Sequence, residues 1–177
     1  AELDASRQEA TYLVRHDALT GLPNRAHFLA LLQDKVNLAA LNGSRVHALS
    51  IKLNEVRQVN ERLGIQAGDE LLRQFGEWIA QDLGRDFLIG RTRGGVFCLI
   101  LQDVLDPVVA QLKLQACVAM LPESLRLRQE ELALSYYTGV STYPVNAHSA
   151  ADLVRFSEYA LNTARRTQVV LGEAPEN

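Results

Sequence analysis

The sequence predicts an α/β domain of the α+β kind, with one mixed sheet and helices packed on it. Three observations carry this. Val96-Phe97-Cys98-Leu99-Ile100-Leu101 is apolar without interruption, which suits a strand buried on both faces. Arg93-Gly94-Gly95 before it supplies a tight hairpin tip. Around that hairpin, stretches of helical periodicity alternate with two further strand patterns, at 46–53 and 132–141.

In chain order, 1–16 is a polar amphipathic segment with Leu3, Ala10 and Leu13 on one stripe, the length of a short connecting helix or weak coiled coil. Asp17 to Arg25, "DALTGLPNR", is a turn-rich connector, and its Asn24 can cap the next helix. Phe28, Leu31, Leu32 and Val36 give that helix an apolar face, and Asn42-Gly43 end it. Val46 to Leu53 reads as a strand. Asn54 to Leu63 reads as a short helix stopped by Gly64, and Asp69 opens a longer one with Leu71, Leu72, Phe75, Ile79 and Leu83 inward, stopped by Gly84. The hairpin follows and is expected to make the sheet mixed. Asp106-Pro107 starts a helix with proline at its first position, with Val109, Leu112, Ala116 and Met120 on its inner face and Pro122 at its end. Leu132 to Ser141 is a strand terminated by Tyr143-Pro144. Ser149 caps a helix with Leu153, Val154, Ala160, Leu161 and Ala164 inward. Val169 to Leu171 is a short last strand, and 172–177, "GEAPEN", reads as a frayed tail or linker. The expected division is thus an incoming helix at 1–16, one domain at 17–171 and the tail.

Composition narrows the function classes. A hydrophobic fraction of 47% and a charged fraction of 22% suit a soluble globular domain with a real core. A net charge of −3 gives no general attraction to nucleic acid or to anionic membranes. No apolar run approaches a membrane span, and no signal peptide opens the chain. Cys98 and Cys117 lie in core patterns, as small hydrophobes rather than a disulfide, which suits a reducing, cytoplasmic setting. His16, His27, His47 and His148 are scattered, with no pair at metal-ligand spacing.

Three stretches resemble the GGDEF family, the diguanylate cyclases that condense two GTP into cyclic di-GMP. "DALTGLPNR" is similar to that family's D-x-L-T-G-L-x-N-R opening. "LSIKLNEVRQVNERLGIQAGDELL" is similar to its D-x-D-x-F-K-x-x-N-D-x-x-G-H-x-x-G-D segment. "RTRGGVF" aligns with R-Y-G-G-D/E-E-F, and "GVSTYP" and "ALNTAR" follow at family-like distances. The resemblance covers Asp17 to about Arg166 and implies a central mixed sheet of the nucleotidyl-cyclase type.

The family's chemistry marks the positions that matter. Attack of a 3′-hydroxyl on an α-phosphate needs a divalent metal, held chiefly by carboxylates. By resemblance, those carboxylates come from the end of the first strand and from the hairpin tip. Here the strand position is Lys52, the tip positions are Gly95 and Val96, and the family's second aspartate is Asn54. A charged lysine has no lone pair to give, and glycine and valine offer no ligand, so the resemblance implies a signature turn (Arg93, Gly94, Gly95, Val96, Phe97) without its catalytic groups, and no magnesium. Phe97 matches the family's aromatic and also fits a plain core position.

Asn60 and Asp69 match the residues that hydrogen-bond guanine. Their other reading is a surface helical residue and a helix N-cap. Arg57 and Arg165 keep positive charge near the expected phosphates or else lie on solvated helix faces, and Lys52 would add a third charge. The product-inhibition R-x-x-D of the family falls on Gly84 and Phe87 and is lost. The resemblance therefore implies an inactive regulatory or interaction domain of a cyclic di-GMP signalling protein, beside an EAL domain or an upstream sensor. The alternatives are a GTP sensor that binds weakly without turnover, and a cyclase that recruits Asp17, Glu55, Glu61 or Glu70 as substitute ligands.

Overall fold

The computed structural model describes residues 2–101, 104–161 and 171–175. Its elements are α1 (Glu2–Arg15), α2 (Arg25–Asn42), β1 (Val46–Leu53), α3 (Val56–Leu63), α4 (Ile65–Leu83), β2 (Phe87–Arg93) and β3 (Val96–Leu101). There follow α5 (Pro107–Met120), β4 (Ser124–Leu127), β5 (Glu130–Ala133), β6 (Tyr136–Tyr143), α6 (Ala150–Leu161) and β7 (Leu171–Glu173). Five strands form the main sheet in the order β2-β3-β1-β6-β7, and β4-β5 form a separate hairpin.

Alternation along β1 and β3 builds the layers. Val46, Ala48, Cys98 and Ile100 meet Phe28, Leu32 and Val36 of α2 and Leu153 and Val154 of α6 on one face. Leu49, Ile51, Leu53, Phe97, Leu99 and Leu101 meet α3, α4 and α5 on the other. The uninterrupted apolar run of β3 is therefore buried on both sides, as its composition predicts. Contact with α6 is close at Gly139 of β6, where a Cβ would meet the Ser157 carbonyl oxygen at 2.2 Å.

Local signals explain most ends. The Asn24 side chain accepts the His27 N–H, Gly43 takes the left-handed conformation that ends α2, and Ser149 Oγ accepts from Asp152 N at the start of α6. Asp106 caps α5 ahead of Pro107.

Several expectations need correction. The sheet is mixed because β7 runs parallel to β6. The hairpin pairs antiparallel, as does every other pair in that sheet. Helix α4 begins at Ile65, so Asp69 lies inside it and caps nothing; Gly64, at φ 93, makes the break between α3 and α4. Helix α5 buries Ala110, Leu114, Cys117 and Val118, while Val109, Leu112 and Met120 face outward. The two small residues Ala110 and Cys117 let the helix approach the sheet, and a helix apolar on both sides gives periodicity nothing to choose between. The single strand expected at 132–141 is divided between β5 and β6, and β4 is an addition. The last strand runs to Glu173, and Ala174 beyond it is buried, its N–H bonded to Val140 O; that part of the tail is not frayed. Ala164 lies outside the described residues. No described helix is long and apolar enough to cross a membrane.

Candidate functional site

The connector "DALTGLPNR" is a clamp on the base of the β2–β3 hairpin. The Asp17 carboxylate accepts from Thr20 N and Thr20 Oγ1 and from Arg91 of β2 at 3.0 and 3.1 Å, while Arg91 N donates to Pro23 O. Burial raises the Asp17 carboxyl pKa, but the bonds from Thr20 and Arg91 outweigh it and hold it below its ordinary value. Further along, Glu158 of α6 accepts from Thr92 Oγ1 at 2.9 Å and pairs with Arg25 at 3.4 Å and Arg93 at 3.3 Å. The hairpin tip is thus fixed from two sides.

Beside that tip, the end of β1, the β2–β3 turn with the first residue of β3, the start of β6 and α3 border a cavity of about 550 Å³. Lys52, Asn54, Arg57, Asn60, Arg93, Gly95 and Val96 line it, so the structure brings together seven of the residues singled out from the sequence. Its lining among the described residues carries three cations and no carboxylate. Lys52 is exposed and in register with Val96 and Tyr137, with its Nζ 6.0 Å from the Tyr137 ring centroid. Arg57 is 90% exposed and paired with Glu61 at 3.1 Å.

Gly94 makes the turn at φ 39. At Gly95, a Cβ would sit 3.1 Å from both Leu53 O and Val56 Cγ2, so the tip lies close against β1 and α3 where the family has a carboxylate. Val96 is buried. Phe97 is fully buried and meets the Phe75 ring edge-on at 5.1 Å; its role here is packing.

Asn60 packs its amide over Gly68, where a Cβ would fall 1.7 Å from Asn60 Oδ1. That oxygen is buried and has no hydrogen-bond partner among the described residues. Asp69, next to Gly68 on α4, is half-buried and is not part of the cavity lining. Arg165 lies outside the described residues.

The four carboxylates considered as substitute ligands are engaged elsewhere. Asp17 holds Arg91, Glu61 holds Arg57, and Glu70 meets Arg128 at 3.4 Å. Glu55 is buried and accepts from Ser135 Oγ at 2.5 Å and Ser135 N at 3.1 Å; burial raises its pKa, against the lowering effect of those bonds. Burial pushes the Cys98 and Cys117 thiols up to about 12, which leaves them inert.

Sequence reasoning missed Tyr137 and Ser135 in the cavity wall and Glu158 behind Arg93. They come from β6, the residue just before it, and α6, and the sheet order brings them beside β1.

The family model described as "Diguanylate cyclase, GGDEF domain" matches residues 14–169. Among curated proteins, the cyclic di-GMP phosphodiesterase NbdA of Pseudomonas aeruginosa is 26% identical over 93% of this chain and 21% of its own length. The diguanylate cyclase TpbB of the same species is 27% identical over 94% of this chain and 38% of its own. The chain thus spans well under half the length of these relatives. The crystallised GGDEF domain of TpbB superposes with a TM-score of 0.79 at 28% identity, covering 89% of this chain and 94% of that one. The coiled coil and GGDEF domain of DgcB from Caulobacter crescentus, at 19% identity, shares the fold with a TM-score of 0.77, covering 98% of this chain and 92% of that one. With that family model matched from residue 14 to residue 169, this chain belongs to the GGDEF family.

Proposed function

We propose that this GGDEF domain serves cyclic di-GMP signalling without making cyclic di-GMP, as a regulatory or interaction domain of a longer cytoplasmic protein. The observation that supports it is the lining of the cavity. Lys52, Arg57 and Arg93 stand there, and no carboxylate does. A divalent metal does not suit this lining: the three cations have no lone pair to give and repel it, and the neutral oxygens of Asn54, Asn60, Ser135 and Tyr137 bring no negative charge to offset them. The metal would otherwise stabilise the transition state by several kcal/mol, on the order of a thousandfold or more in rate. On this reading, the nearby clamp and the Glu158 pairs preserve the shape of the tip for contact rather than chemistry. A phosphodiesterase-like EAL domain or an upstream sensor in the parent protein is the partner we infer. The test is incubation with GTP and magnesium or manganese, followed by chromatography. No cyclic di-GMP is expected; a clear peak abolished by Asp69→Ala overturns the reading.

A second reading, a GTP sensor without turnover, is favoured by one observation, the unpartnered Asn60 Oδ1 at the wall of a cationic cavity. Turned out from Gly68, the Asn60 amide could take a donor from a base edge in place of its buried, unpartnered position, and Lys52 would meet phosphate as a fixed point charge. Calorimetric titration of GTP, with and without magnesium, separates the two. Weak, magnesium-independent binding lost in Lys52→Ala and Asn60→Ala supports the sensor; no binding at millimolar GTP leaves the interaction domain.

A further inference from the structure

A second polar cavity lies at the other end of β1. His47 stands near its start and Lys52 near its end, five residues and about 17 Å apart at about 3.3 Å per residue. The cavity, of about 330 Å³, is enclosed by the start of β1, by α5 and by the β6–β7 edge, and Arg45, His47, Gln111, Thr142, Asn146 and Glu173 contribute its polar groups.

Its walls are built. His47 is only 7% exposed, and its Nδ1 lies 3.1 Å from Thr142 Oγ1 of the neighbouring strand, which fixes the ring. Asn146, also 7% exposed, accepts from Thr142 N at 2.7 Å and donates to Ala174 O at 3.0 Å, tying the end of β6 to the segment after β7. The groups that remain are unspent. Among the described residues, His47 Nε2, the Arg45 guanidinium and the Gln111 amide have no hydrogen-bond or ion-pair partner. A cavity of about 560 Å³ adjoins it, sharing Gln111 and Glu173 and walled by Val118, Leu121, Leu134 and Tyr136.

We propose that the His47 cavity binds a small organic anion, its oxyanion head between Arg45 and His47 and its apolar body against Leu114 and Val140. A guanidinium and an imidazole N–H offer converging donors to a phosphate or carboxylate head, and the Gln111 amide adds a neutral one. Leu114, Val140 and Val145 of the same cavity supply the apolar surface from which such a ligand gains by leaving water. Glu173 is the opposing charge. It borders both cavities and repels an anion in either.

Charge gives the site a pH dependence. The ionisable groups lining the His47 cavity are Arg45, before β1, and Glu173 of β7; α5 contributes Pro107, Gln111 and Leu114, and β6 contributes Val140 and Thr142, none charged. Burial, and then the Arg45 charge, lower the His47 pKa from its ordinary 6.5. An anion between the two offsets the second cause, so binding raises the His47 pKa and tightens as pH falls through it.

The test is a titration of the whole chain, followed by the ring signals of His47 and the amide signals of Gln111. The probes are phenyl phosphate, benzoate, inorganic phosphate and benzylammonium. Saturable shifts at both residues with phenyl phosphate or benzoate are expected, the tighter of the two naming the head group, with inorganic phosphate bound at least about tenfold more weakly. Arg45→Gln should weaken binding by roughly tenfold or more, and Glu173→Gln should tighten it severalfold. Both side chains are exposed, so neither change threatens the fold, and a gain of affinity cannot come from unfolding. Benzoate stays ionised to well below pH 6, so its affinity should rise as pH is lowered below about 6.5, by way of His47. Absence of shifts at millimolar probe, equal binding of benzylammonium, or binding unmoved by both variants overturns the proposal.

Discussion

Asp17 shows how a motif residue is spent on architecture. Its carboxylate accepts from Thr20 and from Arg91, and so holds the connector to the hairpin. Asp17→Asn keeps the size and removes the charge, and should cost about 1–3 kcal/mol at neutral pH. The folded-state pKa lies below the ordinary 3.8, so the charge contributes stability above that value and the contribution is lost as pH falls through the folded pKa. Glu55 has the opposite sign: its raised pKa makes its ionisation cost stability as pH rises. Comparing wild type with Asp17→Asn isolates the first effect, because Glu55 is common to both. Denaturant unfolding as a function of pH should show a gap at pH 7 that closes in acid; a gap independent of pH would refute the electrostatic account. The motif was legible in the sequence, but its partner Arg91 lies 74 positions away and could not be read from spacing. Asp69 shows the reverse limit. Aspartate after glycine reads as a cap, yet Gly64 already makes the break and Asp69 continues the helix.

At the level of elements, strands and helix ends were read well where burial or capping chemistry is local. The bounds of β1 were legible, and so were the Asn24 and Asp106 caps. What escaped was decided elsewhere in the fold. The β4–β5 hairpin turns through Arg128 at φ 49 and Gln129 at φ 70, conformations for which Asn-Gly is the usual signal, so "LRLRQEEL" announces no turn. Helix α5 is apolar on two sides, and the sheet selects the side with the small residues. This makes the two leucines of α5 a direct test. Leu114 is 3% exposed and Leu112 is 59% exposed. Leu114→Ala should cost about 2–5 kcal/mol, and Leu112→Ala less than about 0.5 kcal/mol beyond helix propensity. The reverse order of costs in chemical denaturation would place the helix in the orientation that periodicity alone suggests.

For the whole molecule, the core is complete without α1. Both faces of the sheet are covered by α2 to α6, whereas none of the 14 residues of α1 is buried. Leu3, Ser6, Ala10 and Leu13 recur at heptad spacing along it, with Leu3 75% and Leu13 44% exposed. Two heptads with serine and alanine at half of the seam bury too little apolar area to hold two chains together. Sedimentation of this chain at tens of micromolar should therefore show mainly monomer. Only the last turn of α1 is tied down, by Asn24 Nδ2 to Val14 O at 2.8 Å and by the Tyr12 ring stacked on His16 at 4.1 Å. Removing residues 1–11 should then leave the unfolding free energy within about 0.5 kcal/mol of the intact chain. A tight dimer that survives this deletion would contradict the argument. It would move the contact to the outward apolar residues of α5, Val108, Val109, Leu112 and Met120, which the described residues leave exposed.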